Sequence, residues 1–90
     1  MNILIHINRF HSDGGWVERC SKLILDCPPE GVPNIGDHLD CDAPYPPELD
    51  PVVRKRTRML DPELGHMWTI EAKTDSEALI QVLMKHGWYS

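Results

Sequence analysis

The sequence lacks long apolar runs and any recognisable export signal. Nothing in its 90 residues approaches the roughly twenty apolar residues of a membrane-spanning helix. The first residues have no basic lead-in, and His6 interrupts their apolar stretch, so a secretion signal is not indicated. We therefore expect one soluble domain over residues 1–90, located in the cytoplasm, with no membrane contact.

Cysteine is also scarce. The chain has Cys20, Cys27 and Cys41, an odd number that leaves at least one thiol unpaired. This count favours a reducing compartment over a disulfide framework. Zinc binding is the alternative, because His38 would complete a set of four zinc ligands. Only His38 and Cys41 have the close spacing that is typical of a structural zinc site.

Catalytic motifs are absent. The sequence has no Gly-x-Ser-x-Gly elbow, no phosphate-binding Gly-Lys-Ser/Thr and no His-Glu-x-x-His pair. A chain of this length has room for one hydrophobic core and not for a large catalytic cleft. We expect a non-enzymatic protein without a cofactor.

Positive charge is missing from a long central stretch. The net charge is −5, and residues 26–50 contain seven carboxylates and no Lys or Arg. Directly after that stretch, Arg54, Lys55, Arg56 and Arg58 fall within five positions. This distribution predicts an acidic segment beside a basic strand, and such segments steer association with partners of opposite charge.

The first part of the chain predicts a hairpin. Residues 3–9 alternate isoleucine with other side chains, as a strand with one buried face does. A turn is indicated at residues 11–15, where Asp-Gly and Gly-Gly accept positive φ. Residues 16–27 carry an apolar stripe of helical period, but the preceding turn and the following Pro28-Pro29 favour a strand. We favour the strand and keep a helix at residues 16–27 as the alternative.

A long proline-rich loop and a second hairpin follow. Residues 28–51 contain seven prolines, which exclude regular structure from most of the segment except a short strand at 35–39. The second hairpin is predicted over Val52–Asp61 and residues 66–74, with a turn that ends at Gly65. Its register should separate an apolar face from a polar one. The predicted pairs are Asp61 with His66, Met59 with Trp68, Thr57 with Ile70, Lys55 with Ala72 and Arg56 with Glu71.

The last segment predicts an amphipathic helix over residues 75–86. Thr74-Asp75-Ser76-Glu77 has the pattern of a capping box, and Gly87 provides a stop. The inner stripe is predicted to be Ala78, Leu79, Val82 and Leu83. Ile80 and Met84 widen the apolar arc beyond one face, so they are candidates for contact with a partner.

Together these elements predict an α+β fold. A small antiparallel β-sheet is formed by two hairpins joined by the long Pro-rich acidic loop, and the C-terminal amphipathic helix packs on it. The alternative with residues 16–27 helical has the order β-α-β-β-α.

The candidate partner-binding residues lie in three places. The loop carboxylates can dock on a basic groove of another protein, and the arginines can bind acidic side chains or phosphates, which makes nucleic acid an alternative partner. The apolar rim of the helix fits a protein partner or a homodimer. The candidates are Asp37, Asp40, Asp42, Tyr45 and Glu48 in the loop, Arg54, Arg56 and Arg58 in the basic strand, and Ile80 and Met84 in the helix.

In its short length, acidic balance and lack of a catalytic motif, the chain resembles the small accessory proteins of bacteria and their phages, including inhibitors of host defence such as anti-CRISPR proteins. This resemblance of size and composition implies action by binding another protein. The sequence therefore predicts a small protein-binding accessory or inhibitor protein. A zinc-stabilised domain and a nucleic-acid-binding module that uses residues 54–58 are the alternatives.

Overall fold

Four strands form one sheet, and a single α-helix follows them. The computed structural model describes all residues from 1 to 90. The strands are β1 (Asn2–Phe10), β2 (Trp16–Ile24), β3 (Val52–Asp61) and β4 (Gly65–Thr74), and the helix is α1 (Glu77–Lys85). Neither α1 nor any other helical segment has the length and apolar character needed to cross a membrane.

The sheet is mixed, with the strand order β2-β1-β4-β3. The two hairpins β1–β2 and β3–β4 are antiparallel, as predicted, but β1 and β4 pair in parallel. The prediction of a purely antiparallel sheet is therefore wrong. The parallel pair arises because residues 25–51 cross one face of the sheet before β3 begins, and Val32, Leu39 and Cys41 of this crossing are buried in the core.

The first hairpin confirms the strand interpretation of residues 16–24, and the helical alternative is wrong. Its turn depends on Gly14, whose φ of 95° is readily adopted only by glycine. The His11 N–H donates to the Gly15 carbonyl at 2.7 Å, which closes the turn. Across the strands, Ile7 lies opposite Cys20 and both are buried, so tertiary pairing overrides the helical period.

The second hairpin has the predicted strands but not the predicted register. Asp61 pairs with Gly65 instead of His66, and every following pair is shifted accordingly. The observed pairs include Met59 with Met67, Thr57 with Thr69, Arg56 with Ile70 and Lys55 with Glu71. A bulge between Val53 and Lys55 then shifts the register by one more residue and pairs Val53 with Ala72, which are both buried.

The long loop has little regular structure. It contains two short 3-10 turns, Pro29–Gly31 and Pro47–Leu49. The strand predicted at residues 35–39 is reduced to one isolated bridge between His38 and Val52. Prolines fix φ and remove N–H donors, which accounts for the absence of longer pairing.

α1 begins two residues later than predicted. Ser76 is the N-cap, and its Oγ accepts a hydrogen bond from the Leu79 N–H at 3.1 Å. Thr74 instead accepts from the Ser76 N–H at 3.1 Å, so the predicted capping box is wrong. At the other end the Gly87 stop is confirmed: its φ is 94°, and the next N–H, that of Trp88, donates to the Leu83 carbonyl at 3.1 Å.

The core lies between the sheet and a layer made of α1 and the crossing loop. α1 packs on β1 and β2. The helix residues that are buried are Leu79, Ile80 and Leu83, whereas Ala78 is exposed. The inner stripe is therefore rotated from the predicted one. The central core residues are Ile3, Ile5, Ile7, Cys20, Val53, Ile70, Ala72, Leu79, Ile80, Leu83 and Trp88.

Candidate functional site

The basic strand β3 lies at the edge of the sheet, and part of its backbone has no hydrogen-bond partner. β3 is the last strand of the sheet, so only one of its sides is paired, with β4. The crossing loop covers the first part of the free side, through hydrogen bonds of Gly36 and Asp37 with Val53 and of Leu39 with Pro51. Apart from the pairing with β4, residues 54–60 form no backbone hydrogen bond with another segment. This stretch, which we call the basic edge, presents unpaired N–H and C=O groups.

The cations of the basic edge form no ion pair within the chain. Arg54, Lys55 and Arg58 are exposed. The ion pairs of the structure are Arg9–Glu18 and Arg19–Glu71, and neither involves β3. Glu48 and Asp50 share a shallow depression with Arg54 and Lys73, but they form no ion pair with them. The cations of the basic edge are therefore available to an acidic partner.

Arg56 has a different role from its neighbours. Its guanidinium carbon lies 4.3 Å from the centre of the Trp68 ring, within the range of a cation–π contact. Its Nη1 donates to Oδ1 of Asn34 in the crossing loop. Arg56 thus covers the end of the core and ties the loop to β3, whereas Arg58 has no such contact.

The acidic loop places its predicted residues in separate environments. The Asp37 carboxylate accepts a hydrogen bond from the Asn34 N–H at 2.8 Å, which shapes the local turn. Asp40, Asp42 and Glu48 are exposed. Tyr45 is half-buried, and its hydroxyl accepts from the Cys41 N–H at 2.9 Å and donates to the Leu39 carbonyl at 3.4 Å. Burial is the main reason that the pKa of Tyr45 is raised.

The two helix candidates also differ. Ile80 is only 1% exposed and belongs to the core, so its side chain does not widen the exposed apolar arc as the sequence predicts. The helix is rotated relative to the predicted inner stripe, and this rotation turns Ile80 inward. Met84 is 45% exposed. It is a single exposed apolar side chain on α1 and does not by itself form a docking surface.

The structure does not bring the four predicted zinc ligands together. No group of three or more His, Cys, Asp or Glu side chains has an arrangement that could hold a metal ion. Cys20 and Cys41 are buried in the core, Cys27 is half-buried and His38 is exposed. Burial raises the pKa of Cys20 to about 12 and that of Cys41 to about 11. Their thiols stay protonated and pack as small apolar groups.

A polar row crosses the face of the sheet opposite α1. His6 on β1 pairs with Ser21 on β2 and with Glu71 on β4, and the His6 Nδ1 lies 2.6 Å from the Ser21 Oγ. Burial, followed by the charge of Arg19, lowers the pKa of His6, while Glu71 opposes the shift. The strand order that creates this row is not visible in the sequence.

The same row has the residue types of a serine hydrolase but not their geometry. Ser21 is only 4% exposed, so a substrate cannot reach its hydroxyl. The Glu71 carboxylate accepts hydrogen bonds from Arg19 at 3.1 Å and from Asn8 at 3.4 Å, and none from His6. The row therefore contains two separate hydrogen-bonded groups, His6 with Ser21 and Glu71 with Asn8 and Arg19, and the second connects β1, β2 and β4.

Comparison with known proteins adds no identification. No family model matches the chain, and neither a curated protein nor a solved structure shows significant similarity to it.

Proposed function

We propose that this chain is a non-enzymatic binding protein that captures an extended acidic segment of another protein along the basic edge of β3. The observation that carries the proposal is the coincidence, over residues 54–60, of an unpaired strand edge with exposed cations that have no ion-pair partner. An extended segment that adds to a sheet edge gains main-chain hydrogen bonds, and side-chain charges then select which segment is accepted.

Two features support an extended protein segment as the partner. Met59 and Leu60 are 42% and 68% exposed, so the distal part of the basic edge offers apolar contact beside its hydrogen-bonding groups. Nucleic-acid surfaces usually add exposed aromatic rings for base stacking, but the Trp68 ring is half-buried and covered by Arg56. The net charge of −5 also opposes a polyanion at long range.

Charged residues on an edge strand have a second use, which is to prevent two copies of the sheet from pairing with each other. That use and the proposal are compatible, because the cations that repel a second copy of β3 attract a strand of opposite charge. An accessory or inhibitor protein of this kind acts by occupying a segment that its target needs for another contact.

The proposal is tested with peptides of defined charge. The ¹⁵N-labelled protein is titrated with an eight-residue peptide of alternating Glu and Val, and separately with its Lys-Val counterpart. We expect the acidic peptide to shift the amide signals of residues 54–60 and to slow their hydrogen exchange. Its affinity should fall as salt is added, because charge steers the encounter.

Two variants that lose the same charge at different places show whether the peptide binds at the basic edge. Arg58→Gln and Lys85→Gln change the net charge equally, but only Arg58 lies on the basic edge. Arg58→Gln should weaken the acidic peptide several-fold and Lys85→Gln should leave its affinity unchanged. Equal weakening by both variants, or equal binding of both peptides, contradicts the proposal. Tighter binding of a single-stranded oligonucleotide at the same residues would replace it with the nucleic-acid alternative.

A further inference from the structure

A cavity opens on the α1 side of the sheet, at the edge formed by β2. It has a volume of about 430 Å³ and lies between β2 and residues 39–42 of the crossing loop. Seven of its ten lining residues are apolar, with Ile5, Ile24, Leu39 and Trp88 among them. Small-molecule sites are typically apolar clefts of about 300–1,000 Å³ with a few polar groups. The size and lining of this cavity fall in that class.

Trp88 lines the cavity with its ring, while its indole N–H lies below the accessible surface. The residue is only 5% exposed, and its Nε1–H is buried without any acceptor in the protein. Buried tryptophans usually bond this group to a partner, because a buried donor left unpaired is costly. The turn at Gly87, together with the hydrogen bond from the Trp88 N–H to the Leu83 carbonyl, brings this ring back against the core beside the cavity.

The rim of the cavity carries an excess of negative charge. Asp40 and Asp42 line it and are both exposed, while Lys22 is the only cationic residue of the lining. The Asp42 backbone N–H donates to the Asp40 Oδ1 at 2.9 Å, which fixes the Asp40 carboxylate at this turn, and Asp42 has a φ of 50°. No carboxylate of this pair forms an ion pair with Lys22.

We infer that this cavity binds a small amphiphilic ammonium compound. Its apolar body lies against the apolar lining formed by Ile5, Ile24, Leu39 and the Trp88 ring. Its ammonium group lies at the rim beside Asp40 and Asp42. The inference is independent of the proposed function, because the basic edge belongs to β3 at the opposite end of the sheet.

Three probes with the same apolar body test the inference. They are 4-phenylbutylamine, 4-phenylbutanol and 4-phenylbutanoate, which differ in the charge of one end. Each is titrated into the ¹⁵N-labelled protein, and the Trp88 indole signal is assigned from its loss in Trp88→Phe. We expect the amine to shift this signal together with the amides of residues 22–25 and 39–42. It should bind about fivefold more tightly than the carboxylate, the size expected for one ion pair at a water-facing rim.

Variants that replace a carboxylate with its amide test whether the rim carboxylates cause the preference for the amine. Asp40→Asn/Asp42→Asn keeps an oxygen that can accept the turn hydrogen bond, and asparagine tolerates the positive φ at position 42. This variant should lose the preference for the amine and still bind the alcohol. Glu63→Gln, an exposed change in the β3–β4 turn, is the control and should keep the preference.

Three results would overturn the inference. The first is that none of the probes moves the Trp88 indole signal at millimolar concentration. The second is that the amine and the carboxylate bind equally well, which would assign an apolar site without charge selection. The third is that the amine preference persists in Asp40→Asn/Asp42→Asn, which would place the ammonium group elsewhere.

Discussion

Replacing Gly87 with L-alanine should destabilise the protein by about 1–2 kcal/mol. Gly87 has a φ of 94°, in the region where an L-residue with a Cβ incurs a penalty of about that size. A Cβ built at this position meets no atom within 4 Å, so no steric clash adds to the conformational cost. For a total stability of roughly 5–15 kcal/mol, such a loss is readily measured.

The assay is urea unfolding at constant pH, with the denaturant dependence fitted for each variant. The matched control is D-alanine at position 87, introduced by chemical synthesis. Its preferred φ is positive, so it should be neutral or stabilise the fold by about 0.4–1 kcal/mol by restricting the unfolded chain. The reasoning is refuted if L-alanine is tolerated within 0.5 kcal/mol, or if both enantiomers destabilise equally. A loss near 3–5 kcal/mol for L-alanine would show that Trp88 leaves the core altogether.

Three further outcomes are expected. Ser76→Ala should lower the free energy of unfolding by about 1 kcal/mol through loss of the N-cap hydrogen bond, measured in urea. Arg56→Ala should cost about 1 kcal/mol because it removes the contact with Trp68, whereas the exposed Arg58→Ala should stay within about 0.5 kcal/mol; equal costs would contradict the assigned roles. Burial lowers the pKa of His6, so unfolding takes up a proton between that lowered pKa and 6.5, and stability should rise with pH across this window. His6→Gln should flatten that rise in unfolding curves recorded from pH 5 to 8, and an unchanged slope would show that another group causes it.

Local signals predicted the elements of this fold well. Both hairpins were readable because their turns contain Gly14 and Gly65, which adopt positive φ, and because the neighbouring strands alternate. The helix was also found, together with its stop at Gly87. Its N-cap was misplaced because Thr74 and Ser76 both fit the position, and only packing decides between them.

The register of β3 and β4 shows where apolar patterning fails. The prediction assumed that an arginine cannot lie beside Trp68 and Ile70 on the apolar face. In the structure Arg56 does so, because its aliphatic stem and planar guanidinium cover the tryptophan ring. A bulge after Val53 then shifts the register by one more residue, which brings Val53 beside Ala72, and nothing in the sequence marked its position.

Long-range features were beyond the sequence. The parallel pairing of β1 with β4 and the burial of Ile80 follow from how the segments pack together. The basic edge was identified as a charged strand, since charge is a local property, but its unpaired backbone depends on the strand order. The cavity beside Trp88 was missed because four separate segments of the chain line it.

The parallel strand pair also affects the order in which the chain folds. Residues 2–9 of β1 each pair with a residue of β4 that comes 65 positions later, as Asn2 does with Met67 and Arg9 with Thr74. During synthesis the β1–β2 hairpin can form early. The other hydrogen-bonding edge of β1 stays unpaired until β4 has left the ribosome, and until then the isoleucines of β1 lack part of their core packing. Closing such a distant contact is entropically slow. We therefore expect a folding rate limited by the docking of the second hairpin, and a nascent chain that is prone to aggregate at β1 until that step is complete.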